Sequence, residues 1–392
     1  MTGSNNGDNG PALLLLSSDA AWTESVRNEA AGLATARLVS VGDARDAVAL
    51  LCGGERFSHL LLHPPAADGL LPDLIGLTTG EAESGIATVL LGEGGAEAQR
   101  LPGGGRAILV RRASPGWLGH ALAESEAVPT GLEAELPLDD LLAALGAGRL
   151  QTRYQPVVRL SDGTPLGLEV LARLEHPALG TLPPDRFVPR IEAAGFATRL
   201  ARVVVRRAFA EWSGDALPEL GVRLGVNLPL DVLLLPGTAD RLETWREEAG
   251  IRPGRITVEL TETHPVVQPD LLRPVLTRLR EAGYGLAIDD VGPAMRDHED
   301  LFALPFTAMK LDKDVVHASA DSAVALRFVE RATAVARRSG LLVIAEGIKT
   351  AADWARMERL GVDAAQGFLI ARPLTAVATV IWHAAWSRRR AA

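Results

Sequence analysis

From Pro11 to about Glu124, short apolar runs alternate with helical stretches. Residues 13–16 are four leucines, and 36–41, 59–63, 87–91 and 107–111 are further apolar runs, bounded by glycine and proline as buried strands are. Between them AWTESVRNEAAGL, DARDAVALL and PGWLGHALAE read as helices, the second opened by Asp43 as N-cap. Five strands alternating with helices predict a doubly wound parallel sheet. The pattern lapses over SEAVPTGLEAEL, which is acidic and carries Pro129 and Gly131. The predicted organisation is a disordered Gly/Asn-rich tail over 1–10, a smaller α/β domain over 11–124, a linker over 125–136 and a second domain over 137–392.

In the second domain the alternation resumes on a larger scale. Candidate strands are YQPVVRL, GLEVLARL, VRLGVNL, RITVELTE, GLAIDD, AMKLD, LLVIAEG and AQGFL. The stretches LLRPVLTRLREAG and SAVALRFVERATAVARRSG are amphipathic, with apolar residues at i, i+3, i+4 and i+7. Roughly eight strands with intervening helices over about 250 residues predict a β/α barrel, with a second open sheet as the alternative.

Composition narrows the function classes. Hydrophobic residues at 47% and charged residues at 23% suit a soluble globular protein with a real core. A net charge of -9 argues against a basic surface for a nucleic-acid polymer. Arg388, Arg389 and Arg390 form the one basic cluster and read as a solvated tail. The single cysteine, Cys52, cannot form an internal disulfide and reads as a buried structural thiol. No secretory signal and no run of about 18 apolar residues is present, so no membrane span is expected and the expected location is cytoplasmic.

The polar residues of the second domain gather at predicted strand ends: Asn227, Glu259, Asp289 and Asp290, Lys310, Glu346 and Gln366. In a β/α barrel such ends converge on one mouth. Carboxylates and amide oxygens are hard ligands that suit Mg²⁺ or Mn²⁺. Crowded carboxylates need cations for charge balance, and an adjacent Asp pair lets one residue bridge two ions. Lys310 adds positive charge for a phosphate. His59 and His63 have no acidic partners at zinc spacing. The residues by themselves point to a metal-dependent hydrolase or lyase.

Over about 137–380 these motifs, in order, resemble the EAL family of cyclic di-GMP phosphodiesterases. YQPVV at 154–158 looks like its opening strand, and Glu169-Val170-Leu171 with Arg173 like its signature. Asn227 in VNL, Glu259 to Glu262 in ELTE, Asp289-Asp290-Val291-Gly292, Lys310-Leu311-Asp312, Glu346-Gly347, and Gln366-Gly367 through Arg372-Pro373 follow. The resemblance implies a modified TIM barrel with an antiparallel first strand. It implies that Glu169, Asn227, Glu259 and Asp289 hold one metal ion, and Asp289 and Asp290 a second. Lys310 and Glu346 are implied as catalytic, Arg173, Gln366 and Pro373 as substrate-binding, and Glu262 as the anchor of the loop after Asp290. The expected reaction is hydrolysis of cyclic di-GMP to linear pGpG, with a nonhydrolytic effector or a protein-interaction scaffold as the alternative.

Two departures change what is expected. After Asp290 the family's Gly/Ser-rich loop reads Val291-Gly292-Pro293-Ala294-Met295-Arg296-Asp297-His298, and Pro293 fixes φ and lacks a donor. Slow turnover follows, and a homodimer contact through that loop is in question. The N-terminal domain resembles a receiver, or is an unrelated α/β domain. Ser17, Ser18, His63, Gly92 and Arg111 stand where a receiver has its acidic pair, phosphoacceptor, switch residue and lysine, so it reads as degenerate and as a surface for a protein partner or a dimer.

Overall fold

The computed structural model describes residues 11–33, 35–52, 57–67, 70–78, 86–92, 97–100, 106–110, 116–126, 136–176, 179–214, 216–261, 269–293 and 303–391. The chain divides into two compact units, Met1–Pro137 with Leu174–Pro183, and Leu138–Arg173 with Pro184–Ala392. The sequence readings over 1–10, most of 125–136, Arg111, Glu262 and 294–298 lie outside the described residues.

The N-terminal unit holds β1 (Ala12–Leu16), β2 (Arg37–Val41), β3 (His59–Leu62), β4 (Ala87–Leu91), β5 (Glu97–Arg100) and β6 (Arg106–Val110), in the sheet order β2-β1-β3-β4-β6-β5. All pairings are parallel except β5 with β6. Every residue from Leu13 to Leu16 is buried, as a strand covered by helices on both faces must be. Leu13 and Leu15 share a core with Trp22, Val26, Trp117 and Leu118. Asp19 caps helix Ala20–Ala31, accepting from the backbone N–H groups of Ala21 and Trp22, and Asp43 accepts from that of Arg45. Cys52 is buried at the end of helix Ala44–Cys52. The five expected strands are therefore joined by a sixth. Glu97–Arg100 is polar and carries no period-two signal, and only its antiparallel pairing makes it a strand.

The second unit is a closed barrel. Its strands are β7 (Leu150–Arg159), β8 (Pro165–His176, of which Leu174–His176 fall in the first unit), β10 (Arg223–Pro229), β11 (Ile256–Thr261), β12 (Gly285–Val291), β13 (Ala308–Leu311), β14 (Leu342–Ala345) and β15 (Ala364–Gln366), while the short β9 (Gly180–Leu182) falls in the first unit. The order runs β10 to β15, then β7, β8 and β9, and β8 pairs with β10 to close the ring. The open-sheet alternative is thereby excluded. Strand β7 is antiparallel to β15, while β8 and β10–β15 pair in parallel around the ring. The short β9 folds back on the end of β8 as a hairpin partner that the apolar pattern did not reveal.

Val157, Ala287, Ala308, Ile344 and Ala364 form a buried apolar layer inside the barrel, with Leu166 and Leu342 packed against it. Strand residues two apart share a face. Asp289, Lys310, Glu346 and Gln366 each follow a member of that layer by two residues, so the polar layer lies directly above the apolar one.

The loop between β14 and the next helix is pinned against β15. The backbone N–H of Ile348 donates to Gln366 O at 3.0 Å, and that of Leu369 donates to Ile348 O at 2.9 Å. Gly367 permits this approach: a Cβ there would lie 2.3 Å from both N and O of Ile348, at φ +154°. We expect Gly367→Ala to cost about 3 kcal/mol or more, because backbone on both sides must move. The check is the denaturant midpoint of the variant against wild type; an unchanged midpoint would refute this account.

Candidate active site

The polar side chains of the mouth come from six strands and from the residue that follows a seventh. Glu169 lies on β8, Asn227 on β10, Glu259 on β11, Asp289 and Asp290 on β12, Lys310 on β13 and Gln366 on β15, and Glu346 follows β14. Asn227 is level with Glu259, and Gly225 with Glu169. Gly225 makes room for its neighbour: a Cβ there would fall 2.0 Å from Glu259 Oε1. Motif reading missed this glycine, whose only signal is a missing side chain at an inward position of an apolar strand.

Lys310 is 1% exposed and stands among four carboxylates. Its Nζ lies 2.7 Å from Glu346 Oε1, 2.9 Å from Glu259 Oε2, 3.0 Å from Asp289 Oδ1 and 3.3 Å from Glu169 Oε2. The two amides face the same glutamate. Asn227 Nδ2 donates to Glu169 Oε1 at 2.8 Å, and Gln366 Nε2 donates to Glu169 Oε2. Asn227 Oδ1 and Gln366 Oε1 are thereby left buried with no protein partner among the described residues.

Asp289 and Asp290 both reach the mouth because β12 is irregular there. The register with β13 shifts between Ile288 and Val291, and Asp290 has φ +52°. Consecutive strand residues ordinarily point to opposite faces, and a bulge relaxes that rule. Among the described residues, Glu169, Glu259 and Asp289 form one group whose oxygens lie within 4.8 Å of one another, and Asp289, Asp290 and Glu346 form a second. The two groups share Asp289. An all-oxygen donor set, a buried orphaned amide oxygen at Asn227 and an excess of negative charge fit hard divalent cations.

Burial and crowding set the ionisation of the cluster. Burial pushes the Glu259 carboxyl up to about 8, with Lys310 opposing and the charges of Glu169 and Asp289 adding to the rise. Burial likewise pushes Asp289 up to about 6 against the pull of Lys310. Glu346 is held well above the usual carboxylate range by burial and by Asp289 and Glu169. Burial also raises Glu169, but Lys310, Asn227 and Gln366 outweigh it and hold that carboxyl below its ordinary value. Burial would lower Lys310, yet its carboxylate neighbours hold it well above its usual range.

The remaining expected residues stand farther out. Arg173 follows Glu169 by four on β8, so it shares the inward face, and its Nη1 donates to Ala172 O at 2.8 Å. Pro373 is partly buried beside Arg372, whose guanidinium lies 4.5 Å from the centroid of the Phe368 ring. In the N-terminal unit, Ser17 Oγ donates to Asp19 O at 3.2 Å, and the His63 ring lies 6.2 Å from that of Trp22.

The family model described as the EAL domain matches residues 138–373. The chain belongs to the EAL-domain family. Among its relatives, the cyclic di-GMP phosphodiesterase RocR of Pseudomonas aeruginosa is 31% identical over 256 residues, which cover 64% of this chain and 65% of RocR. The cyclic di-GMP phosphodiesterase NbdA of the same organism is 32% identical over 237 residues, 60% of this chain and 30% of NbdA. The chain thus spans under two thirds of either relative. Among solved structures, the PaMucR phosphodiesterase in complex with c-di-GMP superposes with TM-score 0.57 at 29% identity, over 61% of this chain and 98% of that one. The manganese/cy-diGMP complex of Klebsiella pneumoniae BlrP1 gives TM-score 0.50 at 28% identity, over 58% of this chain and 56% of that one. Among the described residues, no helix is long and apolar enough to cross a membrane.

The raised carboxyls of this EAL domain carry a pH dependence. Asp289 and Glu259 titrate higher folded than unfolded, so the metal-free fold binds extra protons between about pH 4 and about pH 8. Their stabilisation is complete below that window and is lost as pH rises through it. Glu346 adds in the same sense, and Glu169, shifted the other way, opposes in part. The expected result in EDTA is a thermal midpoint that is lower at about pH 8 than at about pH 5, and that Mg²⁺ or Mn²⁺ restores. A flat profile in EDTA would contradict the crowding described above.

Proposed function

We propose that the protein is a metal-dependent phosphodiesterase that hydrolyses cyclic di-GMP to linear pGpG. The observation that carries this reading is the pair of oxygen triads sharing Asp289, with Lys310 among them. The similarity to the cyclic di-GMP phosphodiesterases RocR and NbdA supports the same substrate.

On this reading Glu169, Asn227, Glu259 and Asp289 hold one Mg²⁺ or Mn²⁺, and Asp289 with Asp290 holds a second. Such a pair supplies Lewis acidity at a phosphodiester and a water acidic enough to attack near neutral pH. Lys310, held charged, and Glu346, 2.7 Å from it, would flank that water, with Lys310 orienting it and the Glu346 carboxylate accepting its proton. The water oxygen bonds to phosphorus, the bond from phosphorus to the 3′ oxygen breaks, and that oxygen takes up a proton, which opens the ring to pGpG. Arg173 contacts a substrate phosphate through charge-assisted hydrogen bonds. Gln366 and Pro373 border the substrate, and Glu262 anchors the loop after Asp290.

The loop over 291–298 slows turnover in this proposal. Pro293 restricts the backbone three residues beyond Asp290, where placement within a fraction of an ångström governs rate. A homodimer, a protein partner for the N-terminal unit and a cytoplasmic location belong to the same proposal.

The test incubates the purified chain with cyclic di-GMP and Mg²⁺ or Mn²⁺ and follows pGpG release. Hydrolysis is expected to cease in EDTA and to be inhibited by Ca²⁺, whose longer and looser coordination misplaces the water. Glu169→Ala and Asp289→Ala are each expected to lower kcat by about 100-fold or more with the circular dichroism spectrum unchanged. Undiminished activity in EDTA, or near wild-type turnover in either variant, overturns the assignment.

A further inference from the structure

Beside the carboxylates runs a chain of hydrogen bonds whose direction is set by the backbone. Ala371 O can only accept, and Gln155 Nε2 donates to it at 3.1 Å. The Gln155 amide is thereby oriented, and its Oε1 accepts from Gln366 Nε2 at 3.0 Å. The same Gln366 nitrogen donates to Glu169 Oε2. Turned over, Gln366 would bring its own oxygen against Gln155 Oε1 and the Glu169 carboxylate, two acceptor–acceptor contacts in a buried place. Only the observed orientation satisfies both neighbours, and it leaves Gln366 Oε1 buried and open to accept.

The start of this chain is held firmly. Ala371 N donates to Gly367 O at 3.1 Å, and the neighbouring residues Tyr154 and Leu374 exchange backbone bonds of 2.7 and 2.9 Å. Gln155 is 8% exposed, so water competes little for its amide. It precedes Val157 of the apolar layer by two residues on β7, which runs opposite to the other barrel strands. The reversed direction carries Gln155 up into the polar layer, where Asp289 and Lys310 arrive by following their layer residues.

We propose that Gln155 is a positioning residue of the metal-holding site: it locks the Gln366 amide with its N–H on Glu169 and its oxygen free for a bound ion, water or substrate. The proposal rests on the metal-holding role given to Glu169 above. Gln155 acts through Gln366, so its removal frees that amide to rotate, and Glu169 loses an oriented donor.

The experiment is a double-mutant cycle in the full chain with Gln155→Leu, Gln366→Leu and both together, reading Mn²⁺ affinity by calorimetric titration. Each single variant is expected to bind Mn²⁺ about 10–100-fold more weakly. The double variant is expected to bind no more weakly than the worse single, because the second change removes a partner already idle. In the hydrolysis assay Gln155→Leu should lower kcat in parallel, with KM within about three-fold of wild type. Should Gln155→Leu not fold, Gln155→Met carries the same expectations with a side chain of similar shape. Unchanged Mn²⁺ affinity, or losses that multiply in the double variant, overturn the proposal and leave Gln155 a fastener of the 371–374 segment. A wild-type chain that binds Mn²⁺ but releases no pGpG sinks the phosphodiesterase reading alone, since the Mn²⁺ cycle still decides on Gln155. A wild-type chain that takes up no Mn²⁺ overturns both.

Discussion

One buried ammonium among four carboxylates is the constraint on which the barrel mouth depends. Lys310 Nζ is within 3.3 Å of Glu169, Glu259, Asp289 and Glu346, yet it carries a single positive charge. Removing such groups from water costs several kcal/mol each, and one cation offsets only part of it. The protein by itself thus leaves an excess of negative charge at a place shaped to receive cations. Glu169 is the exception within the cluster. Two side-chain amides join Lys310 in stabilising its charge, so it stays ionised where its neighbours tend to protonate.

The barrel meets this demand with a two-storey interior. Val157, Ala287, Ala308, Ile344 and Ala364 close off the lower part with apolar volume, and Asp289, Lys310, Glu346 and Gln366 stand two positions beyond the last four of them. The apolar storey keeps water from beneath the carboxylates and strengthens every interaction above it. Gly225 belongs to the same plan, because its missing side chain is the space that Glu259 occupies. The bulge at Asp290 is the one departure from regular alternation in the cluster, and it is what lets adjacent aspartates serve a single mouth.

The N-terminal unit follows another logic. Its strands β1, β3 and β4 are buried over nearly all their length, and the positions after β1 and β3 carry Ser17 and His63. A receiver's phosphoryl chemistry needs acidic oxygens for Mg²⁺ and for the phosphoryl group, and neither side chain supplies them. The barrel, by contrast, gathers its ionisable groups in its mouth.

Much of the barrel was legible in the sequence for a simple reason. Strands buried on both faces read as continuous apolar runs, and polar residues that interrupt them near their ends are few enough to notice. Glu169, Asn227, Glu259, Asp289, Lys310, Glu346 and Gln366 stand out in this way, and their order along the chain carries the family resemblance. Strands Glu97–Arg100 and Gly180–Leu182 were not legible, because both are short partners defined by pairing and not by periodicity. Nor was Gln155, whose neighbours Gln366 and Ala371 lie more than 200 positions away. Residue type and local spacing are properties of the chain and determined which chemistry could assemble. Ring closure, the reversed direction of β7, the φ of Asp290 and the side on which each amide presents its oxygen depend on contacts between distant segments, so only the tertiary structure could decide them.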